Sequence, residues 1–72
     1  MRYVVVFAST GNALLRPGCR NWQTVQDMLD RVETDGIVAP SKTSAAAQSV
    51  SFSPGTSGLK IVSFDDWVES MS

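Results

Sequence analysis

The chain has 72 residues, which is one small domain, and its 6 Lys plus Arg against 7 Asp plus Glu leave a formal charge of −1. That balance gives no support to broad salt-driven binding of nucleic acid or anionic membrane, and 43% hydrophobic residues do not describe a disordered polyelectrolyte. With no histidine and a single cysteine, Cys19, Ser-His and Cys-His nucleophile pairs, imidazole metal ligands, an internal disulfide and a Cys-x-x-Cys site are all out of reach.

Arg2–Ala8 reads as a strand, β-branched and aromatic, ending at the turn-forming Ser9-Thr-Gly-Asn12. Tyr3, Val5 and Phe7 alternate with Val4, Val6 and Ala8, so both faces are apolar and the strand belongs in the middle of a sheet. The apolar run is far shorter than the ~20 residues of a membrane span, and too short for a signal peptide. Starting at Met1, the chain is read as a complete small gene product, and the single cysteine makes a reducing cytoplasm the default compartment.

Ala13–Arg16 is either a second strand piece or an ordered loop before Pro17-Gly18. A helix near 22–34 follows, capped by Asn21. Trp22, Val25, Leu29 and Val32 form its apolar face with Met28 beside them, and Gln23, Asp27, Asp30 and Thr34 lie opposite. Gly36 suits a left-handed helix end. If 37–39 is a brief strand, strand, helix and strand make a right-handed crossover.

Residues 40–47 read as an exposed connection, and 48–62 as a hairpin: Val50 and Phe52 alternate with serines, Pro54-Gly55 makes the turn, and Leu59–Val62 returns. Ser63-x-x-Asp66 approaches a capping box for a last helix, whose Phe64, Trp67, Val68 and Met71 share one face. The fold class expected is therefore α+β: a three- or four-stranded sheet against two short helices, in a single domain over 1–72. Two helices cover one face of such a sheet, leaving Val4, Val6 and Val62 on the other for a loop or a partner to cover. A domain near this size hides only about 60% of its unfolded surface, which favours association with a second copy or a foreign protein.

Val4–Ala13, a strand ending in Ser9-Thr10-Gly11-Asn12, resembles the phosphate-binding loop of flavodoxins, a resemblance that implies a phosphate held by hydroxyls and backbone N–H groups. Ala13 replaces a hydroxyl of that pattern, Pro17-Gly18 interrupts the helix that should follow, and the chain has about half the length of that fold. The favoured reading is a turn, with no cofactor. The glycines lack P-loop spacing. Asp27/Asp30 and Asp65/Asp66/Glu69 are read as solvated or capping carboxylates rather than an acid–base pair or a magnesium site. Cys19, between Arg16 and Arg20, is read as a small buried residue rather than a reactive thiol. Trp22 and Trp67 are read as core anchors.

Charge is segregated. Arg2, Arg16 and Arg20 precede the acidic stretch Asp27, Asp30, Glu33 and Asp35; Lys42 and Lys60 precede Asp65, Asp66 and Glu69. The expected function is non-enzymatic: a protein-binding module, adaptor or inhibitor, that docks Asp27, Asp30 and Glu33, with Asp65, Asp66 and Glu69 second, on a basic surface of a larger protein or complex. A small stand-alone chain of this kind also suits a phage or mobile-element inhibitor of a host machine. The alternative is a nucleic-acid-binding domain using Arg2, Arg16, Arg20, Lys42 and Lys60.

Overall fold

The computed structural model describes residues 1–18, 22–52 and 58–71. In chain order these form β1 (Tyr3–Phe7), α1 (Val25–Asp35), β2 (Val38–Ala39), α2 (Lys42–Phe52), β3 (Leu59–Ser63) and α3 (Phe64–Met71). The α+β class holds, with three helices instead of two.

β1 is central, in the order β2-β1-β3 with both neighbours antiparallel. Its two apolar faces explain the position. Val4, Val5 and Val6 are each at most 1% exposed, so consecutive side chains on opposite faces are both covered. Beneath one face, Val4, Val6 and Ala13 pack with Met28 and Val32 of α1 and with Phe64 and Trp67 of α3. Beneath the other, Val5, Leu14, Ile37 and Ala39 pack with Ala45 of α2, and Tyr3, Phe7, Phe52, Leu59 and Ile61 surround them.

After β1 the chain turns at once and runs back beside it. Phe7 N–H donates to the Asn12 carbonyl at 2.9 Å, Leu14 N–H donates to that of Val5 at 3.0 Å, and Ala13 bridges Val6. This segment fills the Val5–Phe7 stretch of that edge and leaves only Tyr3 and Val4 for β2, which explains a strand of two residues.

The structure corrects several expectations. The unit of β1, α1 and β2 is not a right-handed crossover, because β2 runs antiparallel to β1. A crossover needs α1 to carry the chain back to the start of β1. Instead Gly36, at the end of α1, lies beside Leu15, and the chain continues against the direction of β1. α1 starts at Val25 with Thr24 as its N-cap, and Val25 is exposed at 40%, so the buried stripe runs through Met28 and Val32. Gly36 is not left-handed: its φ is −104°. It is needed for closeness, since a Cβ there would stand 2.7 Å from Val32 Cγ2 and 2.8 Å from the Val32 carbonyl oxygen.

The largest correction concerns residues 40–52. Within them Lys42–Phe52 form neither a connection nor the first arm of a hairpin, but the helix α2, capped by the Ser41 hydroxyl, which accepts from the Ser44 N–H at 3.1 Å. Ala45, Ser49 and Phe52 recur at helical spacing and turn inward, while Val50 is 65% exposed. β3 pairs with β1 instead. α2 therefore covers the Val5 face, and Val4, Val6 and Val62 lie under α1 and α3, the reverse of the expected assignment. The Pro54-Gly55 turn, the Asn21 cap, Cys19 and Arg20 lie outside the described residues.

Candidate functional site

All seven carboxylates of the chain belong to α1 and α3. Both helices pack on the Val4–Val6–Val62 face, so this acidity is confined to one layer of the molecule. Among the described residues, α2 on the opposite layer carries only the cation Lys42.

The six acids expected to form a docking face are not equivalent. Asp27 is part of the helix start. Its N–H donates to Thr24 Oγ1 at 3.0 Å, its Oδ2 accepts from the Gln23 N–H at 3.1 Å, and its Oδ1 accepts from Arg31 Nε at 2.9 Å. This reciprocal arrangement resembles a capping box with an added i,i+4 ion pair, and it holds a half-buried carboxylate in place. Asp27 is thus half-buried and tied into the start of α1, where it was expected to point outward like Asp30 and Glu33. Asp30 and Glu33 are exposed. Asp30 accepts from Gln26 Nε2 at 3.0 Å, and Glu33 stands 3.8 Å from Arg2.

Asp65, Asp66 and Glu69 are exposed on α3. Asp65 and Asp66 lie in its first turn, where the helix dipole favours negative charge. The Ser63-x-x-Asp66 capping bond does not form. β3 runs straight into α3, and the Phe64 N–H donates to the Arg2 carbonyl at 2.9 Å. Arg2 also joins the two helices from below: its guanidinium lies 4.4 Å from the Phe64 ring centre while approaching Glu33 of α1. The Phe64 and Trp67 rings meet at 6.1 Å, tilted by 50°.

Among the described residues the basic side chains do not gather. Arg16 pairs with Asp35 at 2.9 Å, Arg31 with Asp27, and Arg2 with Glu33. Lys42 lies over the Tyr3 ring on the α2 side, whereas Lys60 borders a groove on the α3 side with Val62, Asp66 and Trp67. Arg2, Arg16, Lys42 and Lys60 therefore form no continuous stripe for a phosphate backbone.

The Ser9–Asn12 loop turns its backbone donors inward. Thr10 and Gly11 N–H groups donate to the Phe7 carbonyl at 3.3 and 2.7 Å, and the Asn12 N–H donates to Thr10 Oγ1 at 3.3 Å. A phosphate cradle needs those N–H groups directed at the ligand. A second cavity is lined by Phe7, Asn12–Gly18 and Trp22. Among the described residues no three Asp, Glu or Cys side chains converge to hold a metal ion, and no helix is long and apolar enough to cross a membrane.

Compared with protein-family models, curated proteins and solved structures, the chain matches none.

Sequence reasoning found the acidic residues but missed their sorting. The Thr24-x-x-Asp27 spacing, with Arg31 four residues on, was the signal that Asp27 belongs to a helix start.

Proposed function

We propose that this chain is a small non-enzymatic protein-binding module, an adaptor or inhibitor, that docks its α1–α3 layer on a basic surface of a larger protein or complex. One observation carries the reading: every carboxylate sits on the same side of the sheet, and the exposed set is Asp30 and Glu33 of α1 with Asp65, Asp66 and Glu69 of α3. A surface in which acids outnumber bases, here offset by Arg2, Arg31 and Lys60, raises the encounter rate with a basic partner and disfavours acidic ones. The basic partner includes surfaces that themselves bind nucleic acid. With one cysteine and no histidine, the reading involves no catalysis and no cofactor, and it suits a reducing cytoplasm. An inhibitor encoded by a phage or mobile element is one form such a module takes.

The test is affinity capture from the native host with mass spectrometry, using the protein and its Asp30→Lys/Asp65→Lys variant. Both sites are exposed, so the variant keeps the fold, as circular dichroism will show. Loss of the captured partner, together with release of the wild-type complex by salt, supports docking through this layer. Undiminished capture by the folded variant overturns it. A protein that captures only oligonucleotide, released steeply between about 50 and 200 mM salt, belongs to the nucleic-acid reading instead.

A further inference from the structure

β3 ends the sheet, and among the described residues nothing pairs with its outer edge. The ladder with β1 fixes which backbone groups face outward. At its two ends the Phe64 N–H donates to the Arg2 carbonyl at 2.9 Å and the Ala8 N–H to that of Gly58 at 2.7 Å. Residues opposite one another alternate between hydrogen-bonded and non-hydrogen-bonded pairs in an antiparallel ladder. Lys60 and Val62 therefore direct their N–H and C=O groups to β1, and Leu59, Ile61 and Ser63 turn theirs away from it. An edge of unpaired groups is a template for another strand.

We propose that this edge pairs with β3 of a second copy of the chain, antiparallel about a two-fold axis at Ile61. The joined sheet then runs β2-β1-β3-β3-β1-β2. The register closes on itself. With the axis at Ile61, Leu59 stands opposite Ser63 of the second copy and Ile61 opposite Ile61. Every residue so matched has outward-facing groups, so each pair exchanges both backbone bonds. This is the self-complementary contact that a two-fold dimer requires.

The side chains agree with the register. Leu59 and Ile61 are half-buried on the α2 face, so two apolar clusters meet across the axis. The β1–β3 register is continuous from Leu59 to Ser63, and no proline or bulge blunts the strand.

Charge complementarity singles out a copy of this chain as the occupant. Lys60 is exposed, and a lysine on an edge ordinarily opposes pairing. In this register Lys60 lies opposite Val62 of the second copy, not opposite its own counterpart. Lys60, Val62 and Asp66 line one groove on the α3 side of the sheet. Pairing therefore sets each Lys60 beside the Asp66 of the other molecule as well as its own, twice by symmetry. The lysine that repels other edges becomes the specificity element for this one.

Sedimentation equilibrium of the full chain over about 1 μM to 1 mM tests this. The expected result is a reversible monomer–dimer equilibrium. Lys60→Glu and Asp66→Lys, both at exposed positions, should each weaken the dimer about tenfold or more, and the double variant should return to within about threefold of wild type. Amide exchange by NMR supplies a second readout. Leu59, Ile61 and Ser63 N–H groups gain protection as concentration rises, whereas Lys60 and Val62 are protected throughout. A monomer over the whole range, a dimer indifferent to Lys60→Glu, or protection of these amides only on addition of an unrelated extended peptide would each overturn the proposal.

Discussion

The indole of Trp67 donates from Nε1 to the carbonyl oxygen of Gly11 at 2.7 Å, across 56 residues of sequence. The bond ties the turn after β1 to α3 and shuts one end of the core formed by Val4, Val6, Met28 and Val32. It also gives Gly11, at φ +78°, a reason for its conformation: the left-handed turn aims that carbonyl at the indole. Trp67 is 4% exposed, so its N–H has no easy recourse to water.

Trp67→Phe keeps most of the apolar contact but removes the donor. The expected loss is about 1–2 kcal/mol in urea unfolding, in the range of a hydrogen bond lost at a part-buried carbonyl. Trp67→Ala adds a cavity and costs about 3–5 kcal/mol, enough to unfold much of a domain this small. Equal midpoints for wild type and Trp67→Phe would show the bond to be unimportant.

Gly36→Ala is expected to destabilise by about 1–3 kcal/mol, as overpacking does. The φ of −104° suits alanine, so the ordinary expectation is a gain from a stiffer unfolded chain. Contact with Val32 decides the sign, because its carbonyl oxygen, 2.8 Å from the new Cβ, is backbone and cannot swing aside. Gly11→Ala tests the other mechanism. No atom lies within 4 Å of its Cβ position, and the cost of about 1–2 kcal/mol arises from positive φ alone. A thermal melt of each variant separates the two.

Ala46→Gly distinguishes helix from loop at 42–52. Ala46 is exposed inside α2, so glycine there should cost about 1 kcal/mol of stability. Val50→Ser, at a 65% exposed position, should change stability by less than about 0.5 kcal/mol. A hairpin over 48–62 predicts the opposite ranking, with Val50 on a buried face.

Asp27→Ala removes a helix-start acceptor and the partner of Arg31 together. A loss of about 1–2 kcal/mol is expected, with little effect on docking beyond that caused by lower stability. Asp30→Ala should leave the denaturation midpoint nearly unchanged, since its contact is exposed. If Asp27→Ala matched Asp30→Ala in stability while abolishing capture, Asp27 would return to the docking face.

Much of this architecture is legible one residue at a time. Val4, Val5 and Val6 in succession demand cover on two faces, and that alone places β1 at the centre. Phe64, Trp67, Val68 and Met71 fall on one side of any helix drawn through them, and α3 follows from local spacing. The absence of histidine and the clustering of Asp and Glu in two stretches are also facts of composition. In each case the information sits within a few neighbouring positions, where the geometry of a helix or strand leaves one choice.

Tertiary contacts settled the rest. Val50-Ser-Phe52 satisfies a strand by alternation, while Ala45, Ser49 and Phe52 satisfy a helix. The choice fell to Phe52 and Ala45 packing on a sheet face that α1 and α3 do not reach. The antiparallel entry of β2 depended on residues 12–14 having already filled the adjoining edge, and the role of Gly36 on a Val32 methyl brought within 2.7 Å. A period of two or 3.6 is carried by the local backbone, but which neighbour covers a face, fills an edge or crowds a Cβ depends on residues far away along the chain.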